Sequence, residues 1–194
     1  MRSRPFRRTR AGVQVNLGPD ERALLADLLD EVDTLLGDDE AERALPPADL
    51  PAGDPLAALD AQLSAPPPAD PAVARLLPDG HRDDPELAAG YRRLTEDGLR
   101  ARKRAGLSRA ARALLRPDPV VLDRADAAAL LKGLTDIRLV LAERLGLHTD
   151  EDAERLHREL ARAADSEVTE GLLASSLLYD ALTWWQEELV TAIR

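Results

Sequence analysis

Between residues 24 and 36 the apolar side chains fall at Leu24, Leu25, Leu28, Leu29, Val32, Leu35 and Leu36, with Asp27, Asp30, Glu31 and Asp33 mostly between them. This is the period of a helix with one apolar face. Gly18-Pro19-Asp20-Glu21 opens it: proline suits the first turn, and the two carboxylates meet the positive end of the helix dipole. A second line of the same kind runs through Leu130, Leu134, Ile137, Leu141 and Leu145. Asp123 is its N-cap, Asp126 lies in its first turn, and Gly146 ends it. Gly37 reads as the end of the first helix.

Further helices follow by the same reasoning. One starts after Asp84, with Pro85 at its first position, and runs toward Ala105 with Leu87, Tyr91 and Leu94 as its buried stripe. Gly106-Leu107-Ser108 reads as a break or kink before helix resumes from Ser108 to Leu115. Thr149 caps a helix over 150–164, with Asp152 completing an approximate capping box. The last helix, 167–193, is apolar on most sides between Leu172 and Trp185, which predicts a central position. Trp184, Trp185 and Tyr179 read as core and rim packing of that helix. At the other end of the chain, Phe6, Val13, Val15 and Leu17 alternate with polar residues around Ala11-Gly12, predicting a hairpin over 4–17. Residues 38–70 are rich in Pro, Asp and Ala and read as a flexible loop, with a small amphipathic island at Pro55–Leu63. Val120-Val121-Leu122 reads as one short extended piece.

Aromatic residues make up only 3% of the chain, so the core must be built from Leu, Ala and Val. The expectation is an all-α fold: a single helical domain over 1–194, with about five to six helices around the C-terminal helix and a small N-terminal β-hairpin. A chain of 194 residues suits one domain.

Several function classes lose support at once. The chain has no Cys, so disulfides, thiolate nucleophiles and zinc-thiolate sites are excluded. His81, His148 and His157 do not fall at ligand spacing and read as surface or capping residues. Asp83-Asp84, Asp38-Asp39-Glu40 and Glu187-Glu188 lie where helix ends and solvated faces collect charge. No phosphate loop or serine elbow is present. The expectation is a protein that is not an enzyme and needs neither cofactor nor metal. The first ten residues carry five arginines but no apolar run follows, and no stretch has the length of a membrane span. This predicts a cytoplasmic protein with no membrane partner.

The sharpest anomaly is one of charge. Net charge is −10, yet from Arg92 to Arg116 there are nine cations against two carboxylates, Glu96 and Asp97. Residues 20–42 hold ten carboxylates. One reading is a solvated basic helix that balances the acidic one. The other is a docking surface for an acidic protein or for DNA phosphates. The candidate contacts are Arg92, Arg93, Arg100, Arg102, Lys103 and Arg104, together with Arg7 and Arg8 of the N-terminal arm.

Several stretches carry a resemblance: RPFRR near the start, VARLLPDGHRDDPE, YRRLTEDGLRARK, LTDIRLVLAERLG and YDALTWWQEELV. In this order they look like an actinobacterial family of unknown function that has been associated with the oxidative-stress regulator AosR. The resemblance spans Arg4 to Val190 and is weakest over 38–70. It implies a transcriptional regulator acting with an alternative sigma factor, with DNA reached through that partner or through the basic segments. AosR-type redox sensing uses cysteine, and no such residue exists here to carry it. The competing reading is a cytoplasmic adaptor for a protease or a sulfur-transfer system, with no role in transcription. Oligomeric state stays open.

Overall fold

A computed structural model describes residues 4–43, 68–80, 84–160 and 167–194. The described elements are β1 (Phe6–Thr9), β2 (Gly12–Val15), α1 (Pro19–Arg43), α2 (Pro71–Leu76), α3 (Pro85–Leu114), β3 (Val121–Leu122), α4 (Arg124–Arg144), α5 (Asp150–Leu160) and α6 (Glu167–Ile193). The fold is an all-α bundle carrying an N-terminal hairpin, as the sequence predicts. The amphipathic island at Pro55–Leu63 lies outside the described residues.

The hairpin is larger than expected because Val121 and Leu122 join it. Strands run in the order β1-β2-β3, with both pairings antiparallel. Phe6 faces Val15 across the first pair, and Val13 faces Leu122 across the second. These four side chains and Leu17 are buried against the helices. Gly12 makes the close approach possible. Its φ is 137°, and a Cβ there would lie 2.2 Å from the Leu122 carbonyl oxygen.

Helix starts follow the sequence closely. The side chain of Asp123 accepts from the Asp126 amide at 2.7 Å, and that of Asp84 accepts from the amides of Glu86 and Leu87. Such caps contribute about 1 kcal/mol each. The predicted box at α5 forms in both directions. Asp152 accepts from the Thr149 amide at 2.9 Å, and the Thr149 hydroxyl accepts from the Asp152 amide at 3.2 Å. Gly146 ends the preceding helix region with φ 67°.

Three expectations need correction. First, α1 does not stop at Gly37 but runs on to Arg43, which takes residues 38–43 out of the predicted loop. Gly37 serves clearance instead, since a Cβ there would lie 3.1 Å from the Arg104 guanidinium. Second, α3 is continuous through Gly106-Leu107-Ser108. Third, the helix with the most neighbours is α4 rather than 167–193. It packs on α1, α2, α3, α6 and two strands of the sheet, while α6 packs on α4, β1 and α5. Leu130, Leu134 and Ile137 are buried in α4 as predicted, and Leu182, Trp185 and Leu189 meet them from α6.

Candidate interaction surface

The basic stretch lies on α3, packed between α1 and α4. One face of α3 points inward along its whole length: Arg92, Glu96 and Arg100 in the first half, then Leu107, Ala111 and Leu114 in the second. The sequence placed Leu87, Tyr91 and Leu94 inside, and the structure places them outside. Leu94 is 86% exposed, and Leu87 and Tyr91 are each about half exposed. The apolar pattern therefore changes side along α3 while the helix itself stays continuous.

The inward charges are paired. Arg100, only 2% exposed, donates to Glu96 at 2.8 Å and to the Leu36 carbonyl of α1 at 2.7 Å. Buried Arg92 bonds to Asp79 in the segment before α3. Lys103 reaches Asp136 of α4 at 2.6 Å, and Arg104 reaches Asp33 of α1 at 2.9 Å. Farther along, Arg109 and Arg116 both donate to Asp126, at 2.7 and 2.6 Å. Of the candidate contacts, Arg92, Arg100, Lys103 and Arg104 thus hold α3 against its neighbours. Arg102 is exposed on α3, and Arg8 is exposed on β1. Arg7 is exposed too and donates to Gln14 across the hairpin at 2.5 Å. Arg93 lies in α3, but its side chain is outside the described ones.

The buried carboxylates show how this packing is balanced. Burial raises the pKa of Asp136, and the charges of Lys103 and Lys132 only partly offset it, so the group sits above its ordinary range. Burial also works against ionised Asp126, but there the hydrogen bonds from Arg116 and Arg109 win and hold it below that range. On α4, Arg138 donates to Gln186 of α6 at 2.6 Å and lies 5.2 Å from the centre of the Tyr179 ring. Each of these groups ties one helix to another.

Open depressions lie along α1. One of about 460 Å³ is lined by Asp27, Asp30, Glu31, Thr34, Leu35 and Asp38. Another, between α1 and α3, includes Asp33, Arg104 and Ser108. Among the described residues no group of His, Asp or Glu has the arrangement of a metal site, and no helix is long and apolar enough to cross a membrane. His148 stands beside Glu143, with Nδ1 3.6 Å from a carboxylate oxygen.

The match to known families covers residues 3–193. The chain belongs to the family described as "Domain of unknown function (DUF2017)". Comparison with curated proteins and with solved structures found no match. In this DUF2017 chain the surface features that sequence reasoning missed are Leu87, Tyr91 and Leu94. A signal for them was present in the alternation of opposite charges at Arg92, Glu96 and Arg100. Residues four apart with complementary charge share one helix face, and a face satisfied from within can be buried.

Proposed function

We propose that this protein is a non-enzymatic regulatory protein that works by binding another protein, with the outward face of α3 as the docking surface. The observation that carries this reading is the exposed stripe Leu87, Tyr91 and Leu94 on a helix whose inward positions hold Arg92, Glu96 and Arg100. Along the same outward face the apolar half gives way to a polar one, where Arg102 and Arg109 are exposed. Helical geometry places Leu87, Tyr91, Leu94 and Arg102 within one narrow arc. A partner fitting this face has an apolar patch followed by carboxylates.

The resemblance to AosR-like regulators supports a sigma factor as that partner and the oxidative-stress response as the setting. DNA would then be reached through the partner, because most of the basic stretch is engaged inside the fold. The test is binding of purified alternative sigma factors to the protein and to its Leu94→Glu and Arg102→Glu variants. Affinity reduced at least about tenfold by Leu94→Glu, with a weaker, salt-dependent loss for Arg102→Glu, supports the reading. Sigma factors that fail to bind, alongside capture of a protease or sulfur-transfer enzyme through the same stripe, would favour the adaptor reading.

A further inference from the structure

The last helix carries a second surface, of different chemistry. On α6, Leu173, Leu177 and Trp184 are exposed, at 45%, 60% and 39%. At 100° per residue these three lie within about 40° of one another around the helix axis, in one stripe spanning about three turns. The core face of α6, with Leu182, Trp185 and Leu189, points another way, so packing against α4 does not cover the stripe. Residues 167–193 contain no Lys, Arg or His. The exposed charges flanking the stripe are Glu170, Asp180 and Glu187, all negative. Cations from elsewhere in the chain also reach this helix: Arg138 of α4 donates to Gln186 at 2.6 Å, and the Arg4 Nε lies 3.9 Å from Glu188.

Among the described residues of α6 the charges bordering the apolar stripe are carboxylates, which select its occupant by charge. A second copy docking stripe to stripe would bring carboxylates against carboxylates, and an anionic lipid surface would be repelled likewise. A helix with a leucine-rich face bordered by Lys or Arg fits both parts at once. Its apolar residues fill the spaces beside Leu177 and Trp184, and its cations meet Glu170 and Glu187. We propose that this face of α6 is a docking site for a cationic amphipathic helix of a partner protein. The proposal concerns a different helix from the α3 stripe and does not depend on that reading.

The test uses the full chain and a fluorescein-labelled Leu/Lys amphipathic peptide of about four turns, with binding followed by anisotropy. A twin peptide with Glu for Lys serves as comparison. The Lys peptide binds, added salt weakens it, and the Glu peptide does not bind. Leu177→Glu weakens binding at least about tenfold. Leu24→Glu, the same change at an exposed leucine of α1, leaves it within about twofold of the parent. Glu170→Gln with Glu187→Gln weakens it and flattens the salt dependence. Equal binding of the two peptides, or an unchanged affinity in Leu177→Glu, overturns the proposal. So does self-association in sedimentation, or binding to phosphatidylcholine or phosphatidylglycerol vesicles, that Leu177→Glu abolishes.

Discussion

Replacing Arg100 with Met removes one half of an ion pair in which Arg100 and Glu96 are 2% and 5% exposed. Met keeps much of the length of the arginine stem, so the cavity is small and the main change is electrostatic. The bonds lost include the 2.8 Å contact to Glu96 and the 2.7 Å contact to the Leu36 carbonyl. Glu96 loses this buried partner, and breaking such a pair costs about 3–5 kcal/mol. With a urea m-value of about 2 kcal/mol/M, the unfolding midpoint should fall by roughly 1.5–2.5 M. The double variant Glu96→Leu with Arg100→Met removes both charges. It should recover most of the loss, because exchanging a whole buried pair for apolar residues is often neutral or stabilising. Chemical denaturation followed by far-ultraviolet circular dichroism measures all three proteins. If the double variant is as unstable as Arg100→Met, the broken Arg100–Glu96 pair is not the cause, and the loss belongs to the Leu36 contact or to packing.

Two glycine substitutions should act in opposite directions. A Cβ at Gly133 would lie 2.4 Å from Leu29 Cδ2, so Gly133→Ala should destabilise by about 1–3 kcal/mol despite alanine's better helix propensity. A Cβ at Gly106 would meet nothing within 4 Å, so Gly106→Ala should stabilise by about 0.5–1 kcal/mol, and thermal unfolding of the pair checks the contrast. Carboxyl carbon NMR should find Asp152 titrating near pH 2 and Asp136 above the ordinary aspartate range. Asp152 is held down by the His148 amide, then by Arg155 and the Thr149 amide, whereas burial raises Asp136. Asp152, lowered on folding, contributes stability above the ordinary carboxylate pKa, and this is lost as pH falls toward 2. Asp136 has the opposite sign: its contribution is present below the ordinary pKa and is lost as pH rises through its raised value. An Asp136 titration at or below the ordinary range would refute this account of its burial.

Helix starts were legible because capping is local. Asp84, Asp123 and Thr149 each satisfy amides within a few residues, so neighbouring sequence holds all the information. Helix ends were harder. Gly37 has the residue type of a C-cap, but what decides its role is the Arg104 guanidinium arriving from another helix. The extended piece at Val121 and Leu122 was legible, but its pairing was hidden for a similar reason, since its partner β2 lies more than a hundred residues earlier. The centre of the bundle was misplaced because apolar content was taken for burial. The α6 helix is the more apolar, yet α4 touches more elements and α6 leaves Leu173, Leu177 and Trp184 in solvent.

The basic stretch shows why charge counts mislead when partners are distant in sequence. Asp33, Asp79, Asp126 and Asp136 belong to three other segments, and together with Glu96 they engage six of the nine cations between Arg92 and Arg116. Local excess positive charge on α3 is therefore largely the complement of acidic neighbours, as the balancing reading held for Asp33 of α1. The same pairing explains the outward leucines. Where α3 meets the end of α1, its inward positions go to Arg92, Glu96 and Arg100, and Arg100 binds a backbone carbonyl that no leucine side chain can satisfy. In that half of the helix Leu87, Tyr91 and Leu94 are then left on the opposite side, while Ala88 and Leu99 turn inward. Past Gly106 the inward face meets the Leu130 and Leu134 core, turns apolar, and the arginines move outward. A face of α3 is thus apolar outside where it is ionic inside, so the exposed stripe and the buried ion pairs are two consequences of one packing arrangement.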